Sequence, residues 1–354
     1  MVPGPVSVPE TIRQAYAVDY GSGDMETDYV DVYVQTQQKL QRILGTTSDI
    51  VIQSGEGMLA LWSALKSCLV PGDRVLAVST GVFGYGIGEM ARSMNAQVEF
   101  IEFQYNETIH GLDRIEAAIA AFKPKMITAV HCETPSGTLN PIDGLGALKK
   151  AHGVPLLYVD AVASAGGAAM LADAWHVDLC LGGSQKCLSC PPDMSFLSVS
   201  RNAWDIIQQV DYAGYDALKP FQDAVKNRYF PYTPNWHGTE SLNKGAELIL
   251  NEGLENSFNR HEAAATHCRR RLVKMGIDLY PVADAVHSPT VTAAVIPPGF
   301  SWETWDAALR NHGLVVGGSL GPLSGKIFRL GHMGSQADTA LIEKALDIIE
   351  AVRH

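Results

Sequence analysis

Two residues of the chain have the type and setting that covalent amine chemistry requires: Asp160 and Lys186. Asp160 ends the apolar run Pro155-Leu-Leu-Tyr-Val-Asp160. A carboxylate at the mouth of a buried strand is costly unless it is paired. Alone, it reads equally well as a turn or helix-capping aspartate. Lys186 follows the run Asp178-Leu-Cys-Leu-Gly-Gly-Ser-Gln. Lysines usually sit on solvated faces, and one set beside small residues after a buried strand loses solvation. That loss lowers its pKa and makes the amine nucleophilic. Alone, it is also compatible with a surface lysine. The pair is more specific than either member. An Asp at one strand end and a Ser-x-Lys after the next, 26 residues on, are the groups a pyridoxal ring needs. The carboxylate keeps the pyridine nitrogen protonated, so the ring can accept carbanion electrons. The lysine forms a Schiff base with the aldehyde and then moves a proton between Cα and C4′.

These side chains need a scaffold, and the chain around them alternates short apolar runs with helix-period segments. The strand expectations are Ile50–Gln53, Arg74–Ser79, Val98–Phe103, Met126–Cys132, Pro155–Asp160, Leu179–Gly183 and Ser195–Val199. Most are rich in Val, Ile, Leu or Phe and bounded by Gly, Pro, Asp or Ser. Helical spacing occupies Met58–Cys68, Gly84–Met94, Leu112–Phe122 and Leu145–His152 between them, with Thr27–Leu44 before and Glu240–Lys274 after, the last with a break near Gly253. Such alternation predicts an α/β fold with a mostly parallel, seven-stranded sheet covered on both faces. Ligands in such sheets bind outside the carboxyl ends of the strands. From Ile277 the texture changes to short strands (Thr290–Ile296, Leu314–Val316, Ile327–Leu330) and two helices (Trp302–His312, Ala337–Val352), a smaller α+β unit. The expected division is a large ligand-binding domain at 11–250 and a small domain at 251–354. The Pro-rich arm at residues 1–10 folds back onto the small domain.

The chain has 354 residues, 46% of them hydrophobic, and a net charge of −11. That length supports a sizeable core. The acidic balance argues against a nucleic-acid groove or an anionic membrane surface as partner. It leaves room for a small acidic ligand held by one local arginine. No apolar run reaches the roughly 18 residues that span a bilayer, and Met1 to Gln14 has no charged segment followed by an apolar one. With six scattered cysteines (68, 132, 180, 187, 190 and 268), a cytoplasmic setting is expected. The Cys187-Leu-Ser-Cys190 pair lacks a second ligand pair, so no metal is expected there.

The order of PGP (3–5), SGEG (54–57), GVFG (81–84), ETPSGTLNPID (133–143), VDAVASAGG (159–167), GSQKCLSCPP (183–192) and FRLGHMG (328–334) resembles the class V aminotransferases of the fold type I pyridoxal enzymes. The resemblance covers nearly the whole chain. It implies Lys186 as the Schiff-base lysine and Asp160 as the partner of the ring nitrogen. It further implies Val162 against one ring face, Phe83 on the other, and Thr134 at the ring hydroxyl. Arg329 would take the substrate carboxylate, with Gly4 beside it. A planar guanidinium fork suits a carboxylate, although a structural ion pair is an alternative. A Phe between two glycines can present a flat ring, although it can also be an ordinary core residue.

One departure from that pattern bears on the ligand. Relatives that bind pyridoxal phosphate offer a hydroxyl and backbone N–H groups at the helix start matching Ser54-Gly-Glu-Gly57, a good phosphate seat. Here the hydroxyl position is Glu56, followed by Gly57 and Met58. A carboxylate there repels a phosphate dianion. The same swap, with TPSGTLNPID (134–143), FPYTP (230–234), LNEG (250–253), SPTVTA (288–293) and GHMG (331–334), resembles the pyridoxamine–pyruvate transaminases, which use unphosphorylated vitamin B6. The implied reaction converts pyridoxamine and pyruvate to pyridoxal and L-alanine. Alternatively, Glu56 turns away as an acid favoured by the helix dipole. Pyridoxal phosphate would then bind through Gln185 and Thr233, the latter from a second chain, in an alanine– or serine–glyoxylate aminotransferase. A cysteine desulfurase of the same fold usually stacks a His where Phe83 stands and carries a Cys on a Gly/Ser-rich lid, which this sequence lacks. A non-catalytic binding protein would be expected to lose Lys186. The expected assembly is a homodimer, possibly extended to a tetramer.

Overall fold

The computed structural model describes residues 1–353. Its main sheet contains β1 (Asp49–Ser54), β2 (Arg74–Ser79), β3 (Gln97–Glu102), β4 (Met126–Val130), β7 (Leu156–Asp160), β8 (Leu179–Gly183) and β9 (Met194–Val199). The order across it is β1-β9-β8-β7-β4-β2-β3, and only β9 runs against the rest. This is the α/β, mostly parallel seven-stranded sheet expected. The run Met126–Cys132 does not continue as one strand. At His131, whose N–H bonds Asp160 O, the chain leaves the sheet and turns into a small hairpin. Its strands are β5 (Cys132–Glu133) and β6 (Thr138–Leu139). Gly137, at φ 75°, closes this hairpin.

Parallel strands are apolar on both faces because helices cover both. Along β7, Leu157 and Val159 face one core cluster with the helices Thr27–Leu44 and Trp236–Glu252. Leu156 and Tyr158 face the other, with Gly57–Cys68, Val82–Ser93 and Arg201–Val210. Each fully buried Leu, Ile or Phe contributes about 1.5–3 kcal/mol. Gly253, at φ 90°, breaks the long helical stretch into Trp236–Glu252 and Leu254–Lys274, as its position suggests.

A second sheet of β10 (Val291–Val295), β11 (Gly317–Gly318) and β12 (Ile327–Gly331) lies in the order β10-β12-β11. It packs on Trp305 and on the helices Leu254–Lys274 and Thr339–Val352. The strand expected at Leu314–Val316 falls instead on Gly317–Gly318, which pair with Arg329 and Phe328. Leu314 and Val316 are buried and Val315 exposed, so the alternation is real without ladder pairing. The N-terminal arm lies against this sheet. Gly331 N donates to Met1 O at 3.0 Å, and Gln336 Nε2 donates to Val2 O at 2.7 Å. Gly331 has no side chain to obstruct it; a Cβ there would come 2.3 Å from Val2 O. No helix among the described residues is long and apolar enough to cross a membrane.

Candidate active site

Five parallel-strand exits converge on one cavity of about 160 Å³. Asp160 comes from the end of β7, Lys186 and Gln185 from the turn after β8, and Phe83 from the first turn of the helix after β2. Cys132 and Thr134 come from the hairpin after β4. Glu56, Gly57 and Met58 at the start of the helix after β1 close one side, and Val162 and Ala163 another. An apolar cavity of about 150 Å³ holds benzene, so this space suits one aromatic ring.

The buried carboxyl of Asp160 accepts the Val162 N–H through Oδ1 at 2.8 Å. Burial pushes its pKa up to about 6, against the pull of that N–H and of Lys186. Its Oδ2 takes no hydrogen bond among the described residues, so one acceptor remains for a cationic N–H. The amine of Lys186 donates to Pro3 O at 2.6 Å. Burial, and then the nearby Arg329 charge, pull its pKa below the usual lysine value. The arm reaches the lysine because Gly4 follows Pro3. A Cβ on Gly4, at φ +94°, would lie 2.6 Å from both Cδ and Nζ of Lys186. Val6 N also donates to Gln185 O at 3.1 Å, which ties the arm to the lysine turn.

Arg329, in the middle of β12, is buried at 8% exposure. Its Nε donates to Gly318 O at 2.7 Å. Among the described residues it has no carboxylate within ion-pair distance, and its Nη atoms make no hydrogen bond. Burial lowers its pKa to about 10. A buried guanidinium whose fork lacks a protein partner is the arrangement a ligand carboxylate completes. The structural ion pair left open by the sequence is not made.

Glu56 precedes the helix Gly57–Cys68 but does not cap it. Its Oε2 accepts from Gln185 Nε2 at 3.1 Å instead. The other amide atom, Gln185 Oε1, is buried with no partner among the described residues. The cavity wall at the helix start therefore carries acceptors, and Gly57 keeps it open: a Cβ there would sit 3.0 Å from the Val162 methyls. A vitamin B6 ring fits these residues. The cavity matches its size, the free Asp160 oxygen could accept from a protonated ring nitrogen, the Lys186 amine could take an aldehyde, and the unpartnered Gln185 Oε1 could accept from a donor on the ring's substituents.

Thr233 does not join this cavity. It is exposed, in a loop with Phe230 and Tyr232 that lines a different cleft. His332 is buried between Thr292 Oγ1 and Pro289 O, and burial drives its pKa down to about 3. Tyr85 stacks on Phe100 and Tyr20 on Trp236. All six cysteines are buried and reduced. The site has two members the sequence did not suggest. The Pro3 carbonyl is a backbone atom and has no sequence signal. Glu133, buried behind Phe83, had one: an acid inside the otherwise apolar or small Cys132–Leu139 hairpin.

The whole chain has relatives with the same architecture. A pyridoxamine–pyruvate transaminase from Mesorhizobium japonicum is 33% identical over 94% of this chain and 86% of its own length. An alanine–glyoxylate aminotransferase from Oryctolagus cuniculus is 30% identical over 99% of this chain and 92% of its own. The crystal structure of an alanine–glyoxylate aminotransferase from Nostoc sp., 28% identical, superposes with a TM-score of 0.94, covering 100% of this chain and 94% of that one. These neighbours share the fold type I pyridoxal architecture. The family model for Aminotransferase class-V matches residues 5–327, a span that contains Asp160 and Lys186, and the chain belongs to the class V aminotransferases.

Proposed function

We propose that this enzyme transfers the amino group of free pyridoxamine to pyruvate, giving pyridoxal and L-alanine. Class V aminotransferases use pyridoxal phosphate on a lysine; the finer reading here concerns the missing phosphate. The observation that carries it is Glu56, which lines the cavity at the helix start and is held there by Gln185. Elsewhere such a helix start would receive a phosphate through its N–H groups. A carboxylate at about 4–5 Å from a phosphate costs roughly 3–4 kcal/mol per unit of phosphate charge at an effective dielectric near 20. Water around the partly exposed Glu56 screens that figure, but half of it is still more than tenfold in affinity. Toward a 5′-hydroxymethyl group the same carboxylate is a hydrogen-bond acceptor.

When bound, the B6 ring supplies the electron sink for the pair left at the amino acid Cα. Asp160 keeps a proton on the ring nitrogen. Lys186 would hold the aldehyde carbon and, once the substrate amino group displaces it, would have its amine free to carry the proton between Cα and C4′. Burial helps here, because an amine with a lowered pKa can act as a base near neutral pH. Val162 and Phe83 confine the ring, and Thr134 is available to its hydroxyl. Arg329 orients the acid through its carboxylate, with Gly4 leaving space beside the lysine.

Glu56→Ser is expected to tighten pyridoxal phosphate binding by tenfold or more and to weaken pyridoxal binding, measured as dissociation constants in both proteins. Tight phosphate-ester binding by the wild type, unchanged by the substitution, would transfer the assignment to a phosphate-dependent alanine– or serine–glyoxylate aminotransferase.

We also infer a homodimer. The loop that carries Thr233 exposes Tyr229 (71%); Tyr215 (64%), stacked on Tyr232 of that loop, and Met25 (81%), next to Asp24 in the cleft beside it, are exposed as well. A second copy would cover these side chains and bring Thr233 to a neighbouring cavity. Sedimentation should give twice the chain mass at micromolar concentration. A fully active monomer would refute the shared site.

A further inference from the structure

We propose that Glu133 is a positioning residue that sets the Phe83 ring against the bound B6 ring, a role that rests on the cavity being a B6 site. Cys132 and Thr134 line the cavity, and side chains alternate along the short strand β5. Glu133 between them therefore points behind the wall, where it is fully buried. Its Oε1 accepts from Gly84 N at 2.6 Å and its Oε2 from Phe83 N at 3.2 Å. Both donors belong to the first turn of the helix Val82–Ser93, whose N–H groups have no partner within the helix. A carboxylate is favoured there by the helix dipole as well.

The approach is close. A Cβ on Gly81 would fall 2.5 Å from Glu133 Cδ, and one on Gly84 would fall 3.3 Å from Oε1. The glycines flanking Val82-Phe83 thus admit the carboxyl as well as freeing the turn. The result is a two-point grip on the backbone that carries the aromatic ring. Because Thr134 directly follows β5, one short segment governs both the stacking ring and the residue available to the ring hydroxyl. The state of Glu133 is poised. Burial and the neighbouring Asp160 charge raise its pKa, the two N–H groups lower it, and the balance lies at about 7.

The test is a double-mutant cycle on pyridoxal binding, read from the dissociation constant and from the visible circular dichroism of the bound ring. Glu133→Gln keeps one acceptor and replaces the other with an amide donor, so one of the two N–H groups loses its partner. The expected weakening is up to about tenfold, the worth of one aromatic stacking contact no longer held in place, with a reduced dichroic band. Phe83→Leu removes the ring that Glu133 aims. In the Phe83→Leu background, Glu133→Gln should then weaken binding by less than about twofold. Additive losses, or a lower melting temperature with unchanged affinity and dichroism, would overturn the proposal. Should Glu133→Gln not fold, Glu133→Asp retains both acceptors but retracts them, and the same non-additivity is expected of it. The B6 reading is separable: it fails if wild-type protein takes up no pyridoxal at Lys186, whereas uptake with additive losses removes only Glu133.

Discussion

The Lys186→Ala variant is expected to bind pyridoxal without the visible band of a lysine-bound ring, to leave no adduct for borohydride to fix, and to turn over at least about 10²–10⁴-fold more slowly. The size of the effect follows from two roles held by one amine. In the proposed reaction Lys186 is both the nucleophile that takes the aldehyde and the base that carries the proton, and no other lysine among the described residues lines the cavity. Asp160 is not expected to substitute, because its carboxyl accepts from the Val162 N–H and is assigned to the ring nitrogen. Added methylamine should restore part of the rate by entering the space the side chain leaves. Peptide mapping of the wild-type protein after borohydride should find the label on Lys186. An intact adduct and normal turnover in Lys186→Ala would mean that another residue holds the ring.

The second large effect concerns the acid. Arg329→Leu removes the guanidinium fork proposed to hold the α-carboxylate and should raise the Michaelis constants for alanine and pyruvate, lowering kcat/KM by about 30–1000-fold for a loss of about 2–4 kcal/mol. The spectrum of the lysine-bound ring should not change, since Arg329 is assigned to the acid alone. Stability should move the other way from activity. The guanidinium is buried with one carbonyl partner and its pKa lowered to about 10, so an apolar side chain of similar volume relieves a desolvated charge. The variant is expected to melt no lower than wild type. Unchanged Michaelis constants for both acids, or a sharp fall in melting temperature, would make Arg329 a structural residue.

The scaffold is readable because the main-sheet strands, apart from the edge strand β3, are buried and mostly apolar runs with a polar or turn residue at an end. Arg74–Ser79 and Leu179–Gly183 have the bounds their composition suggests. What differs is continuity: the Met126–Cys132 run ends early because the carbonyls of Val130 and His131 accept from Asn140 after the hairpin, a partner no local pattern reveals. The helix Arg201–Val210 went unassigned, although Ser200 caps it through the Ala203 N–H and Ala203, Trp204, Ile206 and Ile207 form its buried face. Within the site, Asp160, Lys186 and Arg329 stood out because charged groups at the ends or middles of apolar runs need a reason. The contacts that hold them did not stand out. Gln185 to Glu56 spans 129 residues, and Lys186 to Pro3 spans 183. Thr233 is the opposite case, a motif visible in sequence that a single chain does not bring to the cavity.

The arm across the catalytic lysine makes the order of synthesis matter. The Pro3 carbonyl reaches the amine while residues 1 and 2 are pinned to Gly331 and Gln336. A ribosome that has just released Lys186 must still add about 150 residues before those anchors exist. At roughly 5–20 residues per second, that interval is about 8–30 s. All strands of the main sheet except β9 are made before it begins, and of the arm's long-range bonds only those to the lysine turn, Val6 to Gln185 and Pro3 to Lys186, can then form; the contacts that pin residues 1 and 2 are among the last of the arm's bonds to be completed.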